Sequence, residues 1–218
     1  MRDTTIHFTN ISGEITFEHF ESYLKKLPLN EQSRVLQYRN WHDQLSCLLG
    51  IALIVHFVFK GEISELKTLK LNNFGKPYTH NDVFFNISHA GDFVIMAVSK
   101  QFEMGIDLEK MANVTLSDFR NQMTELEWKR IANCTFNQKK AFYDYWTQKE
   151  AAIKAVGQGL AIPLQSFEII DLKTVIYGHN YYLKECYINK QYCCHIATTD
   201  QHLNISTPIY IKNIYLIS

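Results

Sequence analysis

Apolar residues recur along this chain at two spacings, and each spacing predicts one kind of element. Spacings of three and four residues, typical of helices, occur at length over 43–59 and 137–156 and more briefly over 18–26 and 117–133. Short apolar runs with strand character fill most of the remainder. These runs predict strands over 5–9, 66–71, 83–88, 93–99, 104–108, 167–172, 181–188, 192–198 and 209–217.

Residues that begin or end elements support these boundaries. Pro28 stops the first helix, and Asn30 is a suitable N-cap for a following one. The helix predicted over 43–59 should end near Gly61, and the one over 137–156 should end at Gly157. The sequence Ala-Gly-Asp around Gly91 predicts a hairpin between two of the strands.

Helices followed by an antiparallel-looking group of strands occur twice, once in each half of the chain. This repetition predicts an α+β fold made of a pseudo-twofold pair of similar α/β halves. We expect the halves to be 1–103 and 104–218, with a functional site in the cleft between them.

Composition restricts the classes of function. The chain has 218 residues, 46% of them hydrophobic, as expected of a folded globular protein. Its 22 basic and 22 acidic residues give no net charge, which argues against a nucleic-acid or anionic-membrane partner. The five cysteines contain no CxxC pair, the first residues show no signal pattern, and the longest apolar stretch is too short to span a bilayer. We therefore expect a soluble, cytoplasmic protein with reduced thiols.

Two acidic residues near the middle of the chain are candidate metal ligands. Asp107 and Glu109 are two residues apart, so both carboxylates point to one face of a strand. Met104, Ile106 and Leu108 alternate with them and predict that the opposite face is buried. A pair of acidic residues at this spacing is also common on a solvated strand face.

The predicted helix 137–156 carries further charged residues in one stripe. The stripe consists of Trp146, Lys149, Glu150, Ile153 and Lys154. Together with Asp107 and Glu109, Glu150 would complete an oxygen ligand set suited to Mg²⁺. Lys149 and Lys154 beside such an ion would bind a phosphate or pyrophosphate. The alternative is that Glu150 and Lys154 form only a helix-stabilising ion pair.

Three more polar residues lie in turns or at strand ends. Ser88 and His89 follow an apolar strand, and no third group is evident that would orient the histidine for nucleophilic catalysis. Both side chains can donate hydrogen bonds to a phosphate. Lys76 lies in a Phe-Gly-Lys-Pro turn, which is also typical of an ordinary surface turn. Together these residues predict metal-assisted chemistry on a phosphorylated substrate.

Four segments in this order resemble the 4′-phosphopantetheinyl transferases, specifically the type that activates the surfactin synthetase. They are Gly-Lys-Pro at 75–77, Asn-Ile-Ser-His at 86–89, Gly-Ile-Asp-Leu-Glu at 105–109 and Trp-Thr-Gln-Lys-Glu-Ala-Ala-Ile-Lys at 146–154. The resemblance implies transfer of the phosphopantetheine arm of coenzyme A to a serine of an apo carrier protein (an acyl, peptidyl or aryl carrier), with release of 3′,5′-adenosine bisphosphate. It also implies a pseudo-dimeric fold within one chain, and hence a monomer.

The resemblance also implies roles for particular residues. Asp107, Glu109 and Glu150 would hold Mg²⁺, while Lys154 and Lys149 would contact the phosphates. The adenosine bisphosphate end would be held by Ser88, His89 and Lys76. A glutamate near the metal would be Glu127, with Glu125 as the register alternative, and the proton acceptor would be Glu150 or Glu127.

One region departs from the family pattern. Basic residues usual in the second helix region are replaced by Asn30, Ser33 and Ser46. We expect Arg34 and Arg39, which are close by in sequence, to be the candidates for contacting the 3′-phosphate of coenzyme A. Two rival functions remain: a metal-dependent pyrophosphohydrolase, and an inactive homologue that binds coenzyme A or carrier domains.

Overall fold

The computed structural model describes residues 3–11, 15–80, 82–212 and 214. It confirms a mixed α+β fold with two halves, each containing a long helix and a largely antiparallel sheet. The elements of the first half are β1 (Asp3–Asn10), α1 (Phe17–Lys26), α2 (Leu29–Leu36), α3 (Trp41–Phe57), β2 (Lys70–Leu71), β3 (Pro77–Tyr78), β4 (Phe84–Ala90) and β5 (Phe93–Ser99). Those of the second half are β6 (Met104–Lys110), α4 (Glu125–Ala132), α5 (Gln138–Val156), β7 (Lys173–Ile176), β8 (His179–Glu185), β9 (Tyr192–Thr198), β10 (Asn204–Ile205) and β11 (Ile209–Tyr210).

The described residues form two large sheets and one two-stranded sheet, in which β2 pairs with β3. The first has the order β10-β1-β5-β4, with β11 also pairing with β1, and the second has the order β6-β9-β8-β7. Strands β10 and β11 run parallel to β1, so the end of the chain returns to the first sheet. Edge strands β4 and β6 are not paired through their backbones, and they meet at the boundary between the sheets.

Side chains of β4 join the two sheets at that boundary. The Asn86 side-chain oxygen accepts a hydrogen bond of 2.8 Å from the backbone N–H of Ile106. Ser88 Oγ accepts one of 3.2 Å from the N–H of Leu108. These bonds satisfy buried N–H groups on the open side of β6, which would otherwise be costly to leave unpaired.

Each long helix has the sequence signals that fix its ends. Helix α3 begins where the Asn40 side chain accepts from the N–H of Asp43, and it is apolar on nearly all sides because it lies in the core of the first half. The side chain of Asn137 caps α5 in the same way, and Gly157, with φ of 82°, ends it in a left-handed conformation.

Two of the predicted helices need adjustment. The range 117–133 is two elements, a 3₁₀ segment over Leu116–Gln122 and helix α4. They separate because Thr124 and Glu127 form a capping box that starts a new helix. Pro28, rather than Asn30, occupies the N-cap position of α2.

Several predicted strands differ as well. Half of the range 66–71 belongs to a 3₁₀ segment, Ile63–Thr68, and only Lys70–Leu71 forms a strand. The range 167–172 contains one isolated bridge, from Ile170 to Lys173, and the strand starts after a turn in which Asp171 and Leu172 have positive φ. Within 209–217 the structure shows the short strand β11, while residues 213 and 215–218 lie outside the described residues.

The hairpin predicted at Gly91 is confirmed, with Ala90 opposite Phe93 in the register of β4 and β5. None of the helices in the described part of the chain has the length and apolar character needed to cross a membrane.

Candidate active site

A cavity of about 350 Å³ lies where β4, β6 and α5 meet. We call it the charged cavity. Strand β4, strand β6 and helix α5 each contribute side chains to it. It is lined by Ile87, Ser88, His89, Asp107, Leu108, Glu109, Trp146, Glu150 and Lys154. Residues from both halves of the fold therefore share one cleft. It contains the three predicted metal ligands and, of the residues predicted to contact phosphate, Ser88, His89 and Lys154.

Asp107 is the most buried carboxylate of the cavity. Its Oδ1 accepts hydrogen bonds from Lys154 Nζ at 2.6 Å and from Ser88 Oγ at 3.1 Å. Its other oxygen, Oδ2, is buried without a hydrogen-bond partner. Burial raises the pKa of Asp107 against the opposing charge of Lys154. Buried carboxylate oxygens without a partner are uncommon in folded proteins, so Oδ2 is available to a ligand that enters the cavity.

Glu109 and Glu150 lie in the same cavity and are partly buried. Burial and the neighbouring charge of Asp107 raise the pKa of Glu109 to about 7, although Trp146 donates a hydrogen bond to it. The same two causes raise the pKa of Glu150. Mutual repulsion of buried carboxylates produces such shifts, and a bound cation relieves it.

These residues fit a divalent cation. Three carboxylates against Lys154 leave two uncompensated negative charges, the charge that Mg²⁺ neutralises. In the described part of the chain, no three acidic, histidine or cysteine side chains converge on one point. A cation in this cavity would therefore need ligands beyond these side chains, and Mg²⁺ is usually held by one or two carboxylates together with substrate phosphates.

Gly105 sets the distance between Asp107 and Lys154. A Cβ at this position would lie 2.1 Å from the carbonyl oxygen of Ala151 and 2.3 Å from the N of Ala155. Glycine therefore lets the backbone of α5 approach β6 more closely than any other residue would. This close approach brings Lys154, on α5, within hydrogen-bond distance of Asp107, on β6.

His89, on strand β4, also lines the charged cavity. Burial and the positive charge of Lys154 lower its pKa. His42 and Asp43, at the start of α3, are near enough to influence it electrostatically. A neutral imidazole in this position can donate one hydrogen bond to an anion.

Lys149 and Glu127, which were expected to contact phosphate or metal, are not among the residues that line the charged cavity. Lys149 Nζ is 2.9 Å from Glu127 Oε2, and both side chains are completely buried. The ammonium also donates to the carbonyl oxygens of Leu164 and Phe167, at 2.8 and 2.7 Å. With three acceptors for three protons, Lys149 has no donor left for a substrate.

The carboxylate of Glu127 is also fully hydrogen-bonded within the protein. Its Oε1 accepts a hydrogen bond of 2.8 Å from the N–H of Ile169, and its Oε2 accepts one of 2.9 Å from the N–H of Thr124. The register alternative, Glu125, is exposed and pairs with Arg120. Neither glutamate is among the residues that line the charged cavity.

Lys76 also lies outside the charged cavity. Its ammonium is 2.7 Å from Glu103 Oε2 and donates to the carbonyl oxygen of Met104, at the start of β6.

The candidate basic residues near the second helix are not among the lining residues either. Arg34 is 3.0 Å from Glu31 Oε2. Arg39 is exposed in the turn between α2 and α3, and Ser46 is buried with its hydroxyl donating to the carbonyl oxygen of His42.

Asn86 and Gly105 are functional residues whose roles were missed in the sequence. Asn86 was quoted only as part of a motif, yet the alternation Phe85-Asn86-Ile87-Ser88 places two polar side chains on one face of an otherwise apolar strand. That pattern could have indicated an edge strand whose side chains bond to a second strand. The role of Gly105 depends on contact with a helix far along the chain and has no local signal.

With a divalent cation bound, the cavity could bind a polyanion and accept a proton. It combines a buried carboxylate with an unpartnered oxygen, a lysine held beside it, and a second carboxylate with a raised pKa. These are the components of metal-assisted transfer at a phosphate or pyrophosphate.

Comparison with known proteins gives the same chemistry. Residues 103–206 match the family model described as 4′-phosphopantetheinyl transferase superfamily, and residues 14–101 match the one described as 4′-phosphopantetheinyl transferase, N-terminal. The chain is 31% identical over 178 residues to the 4′-phosphopantetheinyl transferase gsp of Aneurinibacillus migulanus, covering 79% of this chain and 75% of that protein. It is 28% identical to the 4′-phosphopantetheinyl transferase Sfp of Bacillus subtilis (strain 168), covering 70% of each chain. Similarity extends to the rat L-aminoadipate-semialdehyde dehydrogenase-phosphopantetheinyl transferase, with 28% identity over 66% of this chain and 53% of that protein.

Proposed function

This chain belongs to the 4′-phosphopantetheinyl transferase superfamily, and we propose that it catalyses its transfer reaction in the charged cavity. The reaction moves the 4′-phosphopantetheine arm of coenzyme A to a serine of an apo carrier protein. The observation that carries the proposed location is Asp107, which is buried between Lys154 and Ser88 with one oxygen unpartnered.

The chemistry is a substitution at phosphorus. The serine oxygen of the carrier forms a bond to the phosphorus that bears the pantetheine group. The bond from that phosphorus to the bridging oxygen of the pyrophosphate breaks, and 3′,5′-adenosine bisphosphate leaves with the electron pair. The serine proton must pass to a base, and negative charge builds up on the leaving phosphate.

Asp107, Glu109 and Glu150 would hold Mg²⁺, which when bound neutralises pyrophosphate charge and orients it. The family uses coenzyme A as its substrate, and the metal is part of our proposal. Lys154 is positioned by Asp107 beside the place where the leaving group gains charge. Glu150, which lines the same cavity, would accept the serine proton directly or through a water molecule.

The first half, 1–103, would contact the adenosine end of coenzyme A through Ser88 and His89, while 104–218 supplies the carboxylates and Lys154. One chain contributes both walls of the cleft, so a monomer suffices. The carrier protein would approach from the open side of the cleft with its serine directed at the pyrophosphate.

Intact-mass measurement of an apo carrier incubated with the protein, coenzyme A and Mg²⁺ tests the function. We expect the carrier to gain the mass of one phosphopantetheine, EDTA to stop the reaction, and Mg²⁺ to restore it. Consumption of coenzyme A without a carrier would instead indicate the pyrophosphohydrolase. Binding of coenzyme A with neither product would indicate an inactive homologue.

Lys154→Ala tests the location of the site. We expect kcat to fall by about 100-fold with a smaller change in KM, because the charge of Lys154 is needed most in the transition state. Lys139→Ala is the matched control, since Lys139 is on the same helix and donates to Asn113 instead. A rise in KM with unchanged kcat would show that Lys154 binds the substrate but does not stabilise the transition state further.

A further inference from the structure

No step of the proposed reaction uses His195, a buried histidine on strand β9. Its side chain is 2% exposed. His195 is the register partner of Asp107 on β6, and both side chains lie on the face of the second sheet that α5 covers. Burial and the positive charge of Lys140 lower the pKa of His195 to about 3, so the imidazole is neutral at neutral pH.

The hydrogen bonds of the ring fix its tautomer. Thr147 Oγ1 donates its single proton to the carbonyl oxygen of Tyr143, at 2.8 Å. The 2.7 Å hydrogen bond between Thr147 Oγ1 and His195 Nδ1 must then be donated by the Nδ1–H group. This leaves Nε2 as an acceptor, and the side-chain nitrogen of Gln148, 3.4 Å away, is the donor that faces it. Both ring nitrogens therefore have a partner on α5.

Small residues make the apolar packing beside this polar network. Gly105 on β6 and Ala197 on β9 are register partners, and Ala151 and Ala155 of α5 pack against this pair. Small side chains interlock little, so by themselves they resist the sliding or rotation of a helix only weakly. His195 supplies the missing constraint, because it contacts two consecutive helix residues whose side chains point about 100° apart.

The same helix carries Lys154 to Asp107. Thr147 and Lys154 are seven residues, or about two turns, apart, so both side chains face the sheet. Their partners, His195 and Asp107, are directly opposite each other on β9 and β6. Helix α5 is therefore attached to one cross-strand pair at two points, and a shift at the first point also moves the second.

We propose that His195 is a positioning residue, which holds α5 in the one register on β9 where Lys154 meets Asp107. This inference rests on the proposed function, in which the charge of Lys154 is needed beside the leaving phosphate. His195 is not among the residues that line the charged cavity, so it acts through α5 and not on the substrate. A displacement of about 1 Å at a catalytic group can lower a rate by about 100-fold.

Three variants test this role. His195→Leu removes both ring contacts, and we expect kcat for transfer to an apo carrier to fall at least about 10-fold while KM for coenzyme A stays within about threefold. His195→Asn keeps a nitrogen donor at the Nδ1 position and should restore kcat to within about threefold of the wild type. Thr147→Val removes only the hydroxyl group, should fold even if His195→Leu does not, and should lower kcat by at least about 10-fold.

Ile196→Ala is the matched control for a loss of stability. Ile196 follows His195 on β9, is 0% exposed and belongs to the core on the opposite face of the sheet, away from α5. We expect Ile196→Ala to be destabilised in chemical denaturation, with kcat within about threefold of the wild type. The double variant of Thr147→Val with His195→Leu should lose no more kcat than the worse single variant, because both changes remove the same contact.

Crystal structures of the wild type and of His195→Leu, without coenzyme A or metal, measure the register directly. We expect the distance from Lys154 Nζ to Asp107 Oδ1 to lengthen from 2.6 Å to more than about 3.5 Å, beyond hydrogen-bond reach. This measurement does not depend on transfer activity.

A kcat within about threefold of the wild type in His195→Leu or Thr147→Val would overturn the proposal. So would a fall in kcat with an unchanged Lys154–Asp107 distance, or an equal fall in Ile196→Ala. A rise in KM with unchanged kcat would also contradict it, because the position of Lys154 should matter most in the transition state. Absence of transfer by the wild type would refute the proposed function itself, while the crystal structures would still show whether His195 sets the position of α5.

Discussion

Helix α5 carries two lysine–carboxylate pairs that differ in how completely they are satisfied. Lys149 and Glu127 are both 0% exposed, and each is fully hydrogen-bonded within the protein. Lys154 is 27% exposed and Asp107 only 4%, yet Asp107 keeps one buried oxygen without a partner. The first pair is a closed structural link between α4, α5 and the segment after α5, whereas the second has unused capacity that faces a cavity.

The difference shows which charged groups are available for chemistry. Desolvating an ion pair is costly, and the cost is offset only if every remaining donor and acceptor is used. The Lys149–Glu127 pair meets that condition. The Asp107–Lys154 pair does not, and this indicates that a ligand completes it.

Asp107→Asn should show the difference between the two pairs most strongly, because it should affect activity far more than stability. We expect kcat/KM for transfer to fall by about 1000-fold, because the amide cannot bind a cation as a carboxylate does. The free energy of unfolding should change by less than about 1 kcal/mol, since Lys154 is 27% exposed and its charge stays hydrated when Asp107 is replaced by a neutral residue. Chemical denaturation and carrier mass spectrometry measure the two quantities.

Asp118→Asn, at an exposed position in the same half, is the control for this substitution. Activity above about a tenth of the wild-type value at saturating Mg²⁺ would refute the metal assignment.

Gly105→Ala should disturb the Asp107–Lys154 pair and leave the Lys149–Glu127 pair in place. The new Cβ would meet backbone atoms of Ala151 and Ala155 and push α5 away from β6, so Lys154 would move from Asp107. We expect about a 100-fold loss of kcat/KM and a loss of about 2 kcal/mol in the free energy of unfolding.

Gly50→Ala is the matched control because the nearest atom to its Cβ, Ile87 Cγ2, is 3.9 Å away. In helix α3 this change should be neutral or stabilise by up to about 1 kcal/mol. Full activity of Gly105→Ala would show that the close approach of α5 and β6 is not needed for catalysis.

Glu127→Gln should have the opposite profile to Asp107→Asn. It leaves Lys149 charged and buried, so we expect the free energy of unfolding to fall by about 3 kcal/mol. At a temperature where the variant is folded, kcat/KM should remain within about threefold of the wild type. Glu125→Gln, at an exposed position on the same helix turn, should change neither quantity. Loss of transfer at unchanged stability would return Glu127 to the active site.

The contrast between the two lysines also shows how far the sequence leads. The i, i+2 spacing of Asp107 and Glu109 and the caps of α5 are local signals, and they predicted a strand and a helix at the correct places. Lys149 and Lys154 are at the two edges of the predicted stripe, about 140° apart around the helix at 3.6 residues per turn. Sequence spacing placed both beside Glu150, but it does not show what each edge faces.

Long-range contacts account for the other differences. The partners of Lys149 include carbonyl groups of Leu164 and Phe167, which are held by a 3₁₀ turn and not by any apolar periodicity. The family resemblance at 75–77 predicted that Lys76 holds the adenosine bisphosphate end of the coenzyme. Its actual partner, Glu103, is 27 residues away and belongs to the segment leading into β6. Neither partner has a signal in the local sequence.

Arg34 and Glu31 form an intermediate pair, and they give the smallest expected effect. Arg34 is 33% exposed and is held at 3.0 Å by Glu31, which is 7% exposed. If this pair stays closed when coenzyme A binds, no arginine contacts the 3′-phosphate at the position where Ser46 is buried. One charge-assisted hydrogen bond to phosphate is worth about 1.5–3 kcal/mol, so its absence removes a 10- to 100-fold preference.

We therefore expect kcat/KM for coenzyme A and its 3′-dephospho form to differ by less than about 10-fold, and Arg34→Ala and Arg39→Ala to change that ratio by less than about twofold. A strong preference that Arg34→Ala abolishes would show that Arg34 leaves Glu31 for the substrate, and it would place this pair with Asp107 and Lys154 rather than with Glu127 and Lys149.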